Sequence, residues 1–251
     1  MDQHFLCSVC NGACSLLDVV DFNKSCEEAR GKFLHPAGIP VGYVLCGNCG
    51  FCFAPEFRTW KLEEFEQRIY NDEYVFVDPD YIETRPRANA ANLVSMFGDR
   101  ARSIKHLDYG GGSGLLAQLL RQADWQSVSY DPFVDRSVSI GQLGKFGLIT
   151  AFEVFEHVPD VRELMSKLGS LLCPGGLVLF STLLSDGNIQ PKQKLSWWYA
   201  SPRNGHISLF SRQSLAILAR DYGVNIGSFS DGFHVFFTEV PAWADHLIRT
   251  G

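Results

Sequence analysis

The chain has 251 residues, of which 46% are hydrophobic and 20% are charged, so it can bury a full core and accommodate a smaller second domain. Its formal net charge of −6 argues against nucleic acid as the main partner, because proteins that bind a phosphate backbone usually present a basic surface. No apolar run approaches the roughly 18 residues that cross a bilayer, and residues 1–4 lack the character of a signal peptide. We therefore expect a cytoplasmic protein without a membrane segment.

Seven of the eight cysteines fall within the first 52 residues. Four of them form two Cys-x-x-Cys pairs, Cys7 with Cys10 and Cys46 with Cys49. Each pair places two sulfur atoms on one tight turn, and four thiolates from two such turns make a tetrahedral zinc site, which a reducing cytoplasm favours over disulfide bonds. The sequence thus predicts a structural zinc site in a small module over residues 1–58. Three other cysteines are interpreted as packed thiols, with a substitute ligand among them as the alternative: Cys14, Cys26 and Cys52.

Residues 59–100 are predicted to form a helical connector between this module and a larger domain at residues 101–251. The stretch from Trp60 to Tyr70 carries apolar residues at helical spacing. Pro86 opens a second predicted helix, and Gly98 is its expected end.

A glycine-rich turn lies between a predicted strand and a predicted helix, over residues 107–120. In an open α/β sheet such a turn sits at the carboxyl end of a strand, and the missing side chains let a ligand approach the backbone. The next predicted strand ends in Asp131, whose carboxylate can accept both hydroxyl hydrogens of a ribose. The predicted ligand is a nucleoside.

The segment from Gly112 to Ala117 also fits the Gly-x-Gly-x-x-Ala form of the dinucleotide fingerprint. Asp108 argues against that interpretation, because its carboxylate would repel a pyrophosphate but would attract an amino group. Asp108 with the glycines at 110, 112 and 114 forms the pattern Asp-x-Gly-x-Gly-x-Gly, which resembles motif I of class I S-adenosylmethionine (SAM) methyltransferases.

The resemblance extends along the chain. Residues 146–160 look like the family's fourth-strand segment, with Glu-x-x-Glu-His-x-Pro from Glu153 to Pro159. Residues 171–180 look like its Pro-Gly-Gly turn and fifth strand. The resemblance implies that SAM is the cofactor and that the connector helices cover it. It also implies the cofactor-binding residues: Asp108, Gly110, Gly111, Gly112, Gly114, Asp131, Pro132, Phe152 and Glu153.

The implied fold is an α/β, Rossmann-like, seven-stranded class I methyltransferase sheet. Residues 224–229 and 233–240 are predicted to be its closing hairpin. Only fourteen residues separate Asp131 from Phe146, so the third-strand region is expected to be abbreviated, with residues 137–140 as the only candidate strand. The sequence therefore does not identify the residues that would make the family's usual adenine contacts, which follow that strand.

Methyl transfer needs a nucleophile of the acceptor aligned with the sulfonium methyl group and, for some acceptors, a base. The candidate catalytic residues are His157, Glu156 beside it and His206. His157 is the first choice for a base because it lies beyond the fourth strand, although bracing of that loop is the alternative. Residues 197–206 contain three aromatics, Arg203 and His206, which suit a ring, a sugar or an acidic substrate, and loop packing is again the alternative.

A four-cysteine module before such a domain resembles bacterial small-molecule methyltransferases of the deoxysugar C-methyltransferase type. The expected function is methyl transfer to a small-molecule acceptor, a sugar or another biosynthetic intermediate, at carbon or oxygen. Two alternatives stay open, a zinc-containing RNA methyltransferase and a catalytically degenerate domain that binds SAM as a sensor or scaffold. The oligomeric state is not readable from the sequence.

Overall fold

The computed structural model describes residues 5–247, which divide into two compact units. Within these residues, the first unit takes the chain up to Pro79 together with Phe155–Arg162 and Thr182–Leu218. The second unit takes Asp80–Val154, Glu163–Ser181 and the residues from Ala219 onward. The domain boundaries expected after residues 58 and 100 stay predictions. Residues 1–4, on which the expectation of no signal peptide partly rests, lie outside the described part.

The secondary structure comprises eleven strands and six α-helices within that part of the chain. The strands are β1 (Phe5–Leu6), β2 (Ala13–Asp21), β3 (Pro40–Cys46), β4 (Cys52–Phe53), β5 (Lys105–Tyr109), β6 (Gln126–Tyr130), β7 (Phe146–Phe152), β8 (Leu172–Ser181), β9 (Ser208–Leu209), β10 (Asn225–Ser230) and β11 (Phe233–Phe237). The helices are α1 (Leu62–Arg68), α2 (Tyr74–Val77), α3 (Thr84–Phe97), α4 (Leu115–Gln122), α5 (Val161–Leu171) and α6 (Arg212–Asp221).

The first unit contains a five-stranded antiparallel sheet in the order β1, β2, β3, β4, β9. Its last strand comes from far along the chain, since Cys52 pairs with Leu209 and Phe53 with Ser208. Aromatic side chains fill the interior, with Phe51 packed against both Phe53 and Phe210. The cysteine-rich segment and residues 208–209 therefore share one sheet.

The second unit contains a six-stranded sheet in the order β10, β11, β8, β7, β5, β6. Strands β6, β5, β7 and β8 are parallel, and β11 is antiparallel to β8. Parallel strands are normally covered on both faces, which explains why Leu107, Leu148 and Leu179 are almost completely buried. The carboxyl ends of β5, β6 and β7 lie at the same edge of this sheet.

The expected seven-stranded sheet was wrong in its strand number, because within residues 5–247 this sheet has six strands. Residues 132–145 form turns and a short 3-10 helix, Ile140–Gln142, and residues 137–140 form no strand. A parallel strand needs a crossover of a dozen or more residues, which the fourteen residues between Asp131 and Phe146 cannot supply in addition to the strand itself. The sheet consequently ends at β6.

Local sequence signals explain several helix ends. Helix α3 ends at Gly98, which has a φ of 52°, but it begins at Thr84, two residues before Pro86. Ser211 and Ser214 exchange two backbone-to-hydroxyl hydrogen bonds of 3.0 Å each at the start of α6. The described helices include none whose length and apolar character would let it cross a bilayer.

Candidate functional site

The glycine turn after β5 is held against the end of β6. The Gly110 N–H donates to the Tyr130 carbonyl at 2.8 Å, and the Gly114 N–H donates to the Gly111 carbonyl at 2.9 Å. Gly110 has a φ of 76°, and a Cβ there would lie 2.5 Å from Cγ2 of Val154. This backbone requires glycine for conformational and for steric reasons.

Gly111 meets a similar limit, since a Cβ on this residue would overlap the Ser129 hydroxyl and the Asp108 carboxylate. The turn then leads through Gly112, with a φ of 54°, to Gly114, which caps the N-terminus of α4 with a φ of 78°. The four glycines expected to bind the cofactor thus form one side-chain-free surface at the carboxyl edge of the sheet.

Asp131 follows β6 directly and is fixed to the same turn. Its Oδ2 accepts a hydrogen bond from the Gly112 N–H at 3.0 Å, and its Oδ1 accepts one from the Phe133 N–H at 2.8 Å. Each carboxylate oxygen has a second lone pair, so both can also accept hydrogen bonds from a ribose. Pro132 lies between Asp131 and Phe133 in this anchored segment.

Asp108 is buried within β5, with only 4% of its surface exposed. Burial raises the pKa of its carboxyl to about 7, and the nearby Asp131 charge acts in the same direction. A hydrogen bond of 3.0 Å from the Thr150 hydroxyl opposes both effects by stabilising the charged form. A cationic ligand group beside Asp108 would further stabilise the charged form of this carboxyl.

Phe152 and Glu153 lie where β7 ends, at the same edge. Glu153 has a φ of 53°, a left-handed conformation that non-glycine residues adopt rarely and often at functional sites. Its N–H donates to the Ser181 hydroxyl at 2.8 Å, and that hydroxyl donates to Oε1 of Glu153 at 2.8 Å. Arg85 lies 3.8 Å from Oε2 of the same carboxylate. Ser181 and Arg85 therefore hold the side chain of Glu153 in place.

The three candidate catalytic residues all lie in the first unit. Glu156 is completely buried, His206 is 4% exposed and His157 is half-buried. Their potential ligand or base atoms lie within 4.8 Å of one another. The two imidazole rings are 4.7 Å apart between centroids in an edge-to-face arrangement.

His157 contacts the end of the connector segment through Tyr70, whose Oη lies 3.0 Å from Nδ1 of the imidazole. Gly205 makes room for this pair, because a Cβ there would lie 2.9 Å from Tyr70 Oη and 3.0 Å from His157 Nδ1. The hydroxyl of Ser208 donates to the Val158 carbonyl at 2.7 Å. These contacts tie the His157 loop to the segment around residue 205.

His206 is oriented through both its ring and its backbone carbonyl. Its Nδ1 lies 2.9 Å from the Tyr199 carbonyl, which can only accept, so Nδ1 carries the proton and Nε2 carries the lone pair of the neutral ring. The Tyr43 hydroxyl donates to the His206 carbonyl at 2.7 Å. Because Tyr43 belongs to β3, the sheet that carries the cysteine pairs also positions His206.

Glu156 accepts a hydrogen bond from the Tyr199 hydroxyl at 2.5 Å, while its carbonyl accepts one from the Ile207 N–H at 2.9 Å. Sequence reasoning did not single out Tyr70 or the specific bond made by Tyr199. Neither residue carries a local motif, since their partners are 87 and 43 residues away. A basic, buried cluster of this kind can accept a proton or ligate a cation.

The expected substrate-binding residues of segment 197–206 have different surroundings. Trp198 is 37% exposed, whereas Trp197 and Arg203 are buried. Arg203 donates to the Ile69 carbonyl at 2.9 Å and to Oδ1 of Asn71 at 3.3 Å, and burial lowers the pKa of its guanidinium. These bonds connect the segment to the end of α1.

The two Cys-x-x-Cys pairs meet in the first unit. Sγ of Cys7 lies 3.6 Å from Sγ of Cys49, and Sγ of Cys10 lies 3.5 Å from Sγ of Cys46. All four sulfur atoms lie within 4.8 Å of one another, and none is in a disulfide. The hydrogen bond from Cys49 lowers the pKa of the Cys7 thiol below its ordinary value. The cluster has the donor set of a tetrahedral metal site.

The two turns are built alike and are supported from outside. The Asn11 N–H donates to the Cys7 carbonyl at 2.9 Å, and the Gly50 N–H donates to the Cys46 carbonyl at 3.0 Å. The guanidinium of Arg162 donates to the carbonyls of Ser8, at 2.7 Å, and Val9. The three remaining cysteines of this region lie outside the group of four: Cys14, Cys26 and Cys52.

Residues 81–228 match a family model described as a methyltransferase domain. Among curated proteins, the chain is 35% identical over 81 residues to the ubiquinone biosynthesis O-methyltransferase of Colwellia psychrerythraea, covering 32% of this chain and 33% of that protein. It is 28% identical over 104 residues to the protein of the same name from Acinetobacter baumannii, covering 41% and 42%. The match thus spans less than half the length of these relatives.

Two solved structures from Burkholderia thailandensis resemble the fold, each with a TM-score of 0.50. One is an O-methyltransferase family protein, 18% identical, with 71% of this chain and 63% of that chain covered. The other is 1,6-didemethyltoxoflavin-N1-methyltransferase with bound 1,6-didemethyltoxoflavin and S-adenosylhomocysteine, 17% identical, with coverage of 81% and 96%. At these identities the likeness concerns the fold alone.

Proposed function

Because this chain belongs to the methyltransferase domain family, we propose that it is an enzyme that transfers the methyl group of SAM to a small molecule. The observation that carries the proposal is the glycine turn bonded to Asp131 through the Gly112 N–H. A side-chain-free backbone beside a fixed carboxylate suits a nucleoside ribose. The buried Asp108 adds the negative charge that a cationic amino group would favour.

The proposed cofactor contacts follow from this arrangement. Gly110, Gly111, Gly112 and Gly114 provide the backbone surface, while Asp131 accepts the ribose hydroxyls. Pro132, Phe152 and Glu153 line the same edge of the sheet. SAM supplies an electrophilic methyl group at its sulfonium centre, so the protein needs to supply alignment, exclusion of water and, for a hydroxyl acceptor, a base.

We assign the role of base to His157. It is half-buried and thus reachable, whereas Glu156 and His206 are almost completely enclosed. When a hydroxyl or an acidified C–H of the acceptor gives its proton to His157, the Glu156 carboxylate and the Nε2 lone pair of His206 can stabilise the imidazolium. The acceptor that we propose is a sugar or another biosynthetic intermediate, methylated at carbon or oxygen.

Zinc is the proposed occupant of the four-cysteine cluster, with a structural task. Four thiolates about 2.3 Å from a tetrahedral zinc ion would lie about 3.8 Å from one another. The distances of 3.6 and 3.5 Å within two of the sulfur pairs fit this geometry. Cys7, Cys10, Cys46 and Cys49 would hold the ion without leaving a position for substrate. Reduced thiols are consistent with the cytoplasmic location that we propose.

A transfer assay tests the function. The parent protein is incubated with SAM carrying an isotope-labelled methyl group and a panel of hydroxylated small metabolites, and products are identified by mass spectrometry. We expect one labelled methyl group in a small molecule together with S-adenosylhomocysteine. SAM binding without transfer to any acceptor would favour a sensor, and labelled transcripts with steeply salt-dependent binding would favour an RNA enzyme. Either result would reject the proposal.

A further inference from the structure

A chain of buried polar side chains crosses three neighbouring strands of the second unit and ends at Asp108. The Ser127 hydroxyl lies 2.7 Å from Nδ1 of His106, and Nε2 of His106 lies 3.0 Å from the Thr150 hydroxyl. Thr150 in turn donates to Oδ1 of Asp108 at 3.0 Å. All four residues are at most 4% exposed. Water therefore does not compete for these hydrogen bonds.

The direction of the hydrogen bonds follows from the acceptor at the end. Thr150 uses its only proton toward Asp108, so its oxygen accepts the hydrogen of His106 Nε2. Burial lowers the pKa of His106 to about 3, so the ring is neutral and its Nδ1 has no proton. The Ser127 hydroxyl must then donate to Nδ1. All three hydrogens point toward the carboxylate.

We propose that Thr150 and His106 are positioning residues that hold the carboxylate of Asp108 in its charged form for the cationic amino group of SAM. The inference rests on the proposed function of this site as the SAM site. Hydrogen bonds in a directed chain polarise one another, so each link strengthens the bond that Thr150 makes to the anion. Asp108 contacts the ligand, whereas Thr150 and His106 act through it.

The surroundings of Asp108 make such support necessary. Burial disfavours a negative charge on Asp108, and the carboxylate of Asp131, directly after β6, acts in the same direction. From β7 the group that faces Asp108 is the neutral Thr150, and His106 on its own strand is neutral as well. On α4, Arg121 donates to the carbonyl of Ser127. Without the Thr150 bond, the carboxyl would bind a proton at a higher pH.

The test measures SAM affinity as a function of pH. For the parent, affinity falls as the pH drops through the pKa of Asp108. For Thr150→Val, we expect the midpoint of this fall to move up by about one pH unit, equivalent to roughly fivefold weaker binding at pH 7 and roughly tenfold weaker binding well below it, with the affinities converging at high pH. Thr150→Ser keeps the hydroxyl and should restore the parent profile. A purely structural loss would lower affinity equally at all pH values and would overturn the proposal.

A second measurement needs no variant. In the parent protein labelled with ¹⁵N-histidine, NMR reports which ring nitrogen of His106 carries the proton, and we expect Nε2. A proton on Nδ1 would reverse the direction of the hydrogen bonds made by His106 and refute the inference. The outcomes separate the two proposals, because a parent protein that fails to bind SAM contradicts the proposed function, whereas SAM binding with an unchanged midpoint in Thr150→Val contradicts only the role of the chain.

Discussion

The hydroxyl of Tyr199 lies 2.5 Å from Oε1 of Glu156, and both side chains are at most 2% exposed. A phenol that donates to a buried carboxylate stabilises its charged form. The backbone carbonyl of the same tyrosine accepts the proton of His206 Nδ1. Tyr199 therefore orients two of the three candidate catalytic residues.

Replacement of Tyr199 by Phe should lower turnover by roughly tenfold to a hundredfold, because a hydrogen bond to a charged group contributes about 1.5–3 kcal/mol. SAM affinity should stay unchanged, since the proposed cofactor contacts belong to the other unit. Steady-state kinetics and calorimetry measure the two effects. The control is Tyr222→Phe, which removes a hydroxyl 3.3 Å from that of Ser166. Equal kinetics in the two variants would contradict the role of Tyr199.

Replacement of His157 by Ala should reduce turnover by about 10²- to 10⁴-fold, which is the usual contribution of a general base. Affinity for SAM should change little. His35→Ala serves as the control because His35 is exposed in a loop. If both variants retain full methyl-transfer activity with an identified acceptor, His157 stabilises its loop and is not the base.

The sequence predicted the elements whose signals are local. Pro86 and Gly98 predicted the position and end of α3, and the two strand-like segments at residues 224–229 and 233–240 predicted the hairpin of β10 and β11. The motif of glycines also predicted the strand, turn and helix around Gly110. Each of these depends on residues close in the chain, where periodicity and glycine conformation are informative.

The sequence could not predict the contacts that join distant segments. Tyr70 meets His157, and Tyr43 meets the carbonyl of His206, across 87 and 163 residues. No local pattern specifies which tyrosine will fill a given gap in a core. The six-stranded sheet was missed for a related reason, since the short connection after Asp131 indicated abbreviation but not whether a strand would remain.

Removal of the proposed zinc should affect the fold and then the chemistry. Cys46→Ser should lower the metal content and the thermal midpoint, because a structural zinc site contributes to folding. Since β3 also carries Tyr43, turnover should fall as His206 loses its support. Elemental analysis is expected to find one zinc ion per chain in the parent and in the control Cys173→Ser. A parent protein purified without zinc would reject the metal assignment.

The buried, charged carboxylate of Asp108 should lower the free energy of unfolding at neutral and alkaline pH. Its pKa of about 7 lies above the ordinary value of 3.8, so the stability of the folded state is fully present below pH 4 and declines as the pH rises through 7. Asp108→Asn should therefore be more stable than the parent at pH 8 and should gain little at pH 4, although it loses SAM affinity. Chemical unfolding at the two pH values measures this. A variant equally destabilised at both would show that burial of the charge is not unfavourable.

The most direct test of the account is calorimetric titration of the parent, Asp131→Ala and Asp99→Ala with SAM and with NAD. Asp131 anchors the glycine turn, whereas Asp99 forms an exposed ion pair with Arg102. We predict that the parent and Asp99→Ala bind SAM and not NAD, and that Asp131→Ala loses on the order of 1.5–3 kcal/mol, or roughly ten- to a hundredfold in affinity. Unchanged SAM affinity in Asp131→Ala would contradict the assignment of the site. Tight NAD binding by a parent protein that does not bind SAM would contradict it as well.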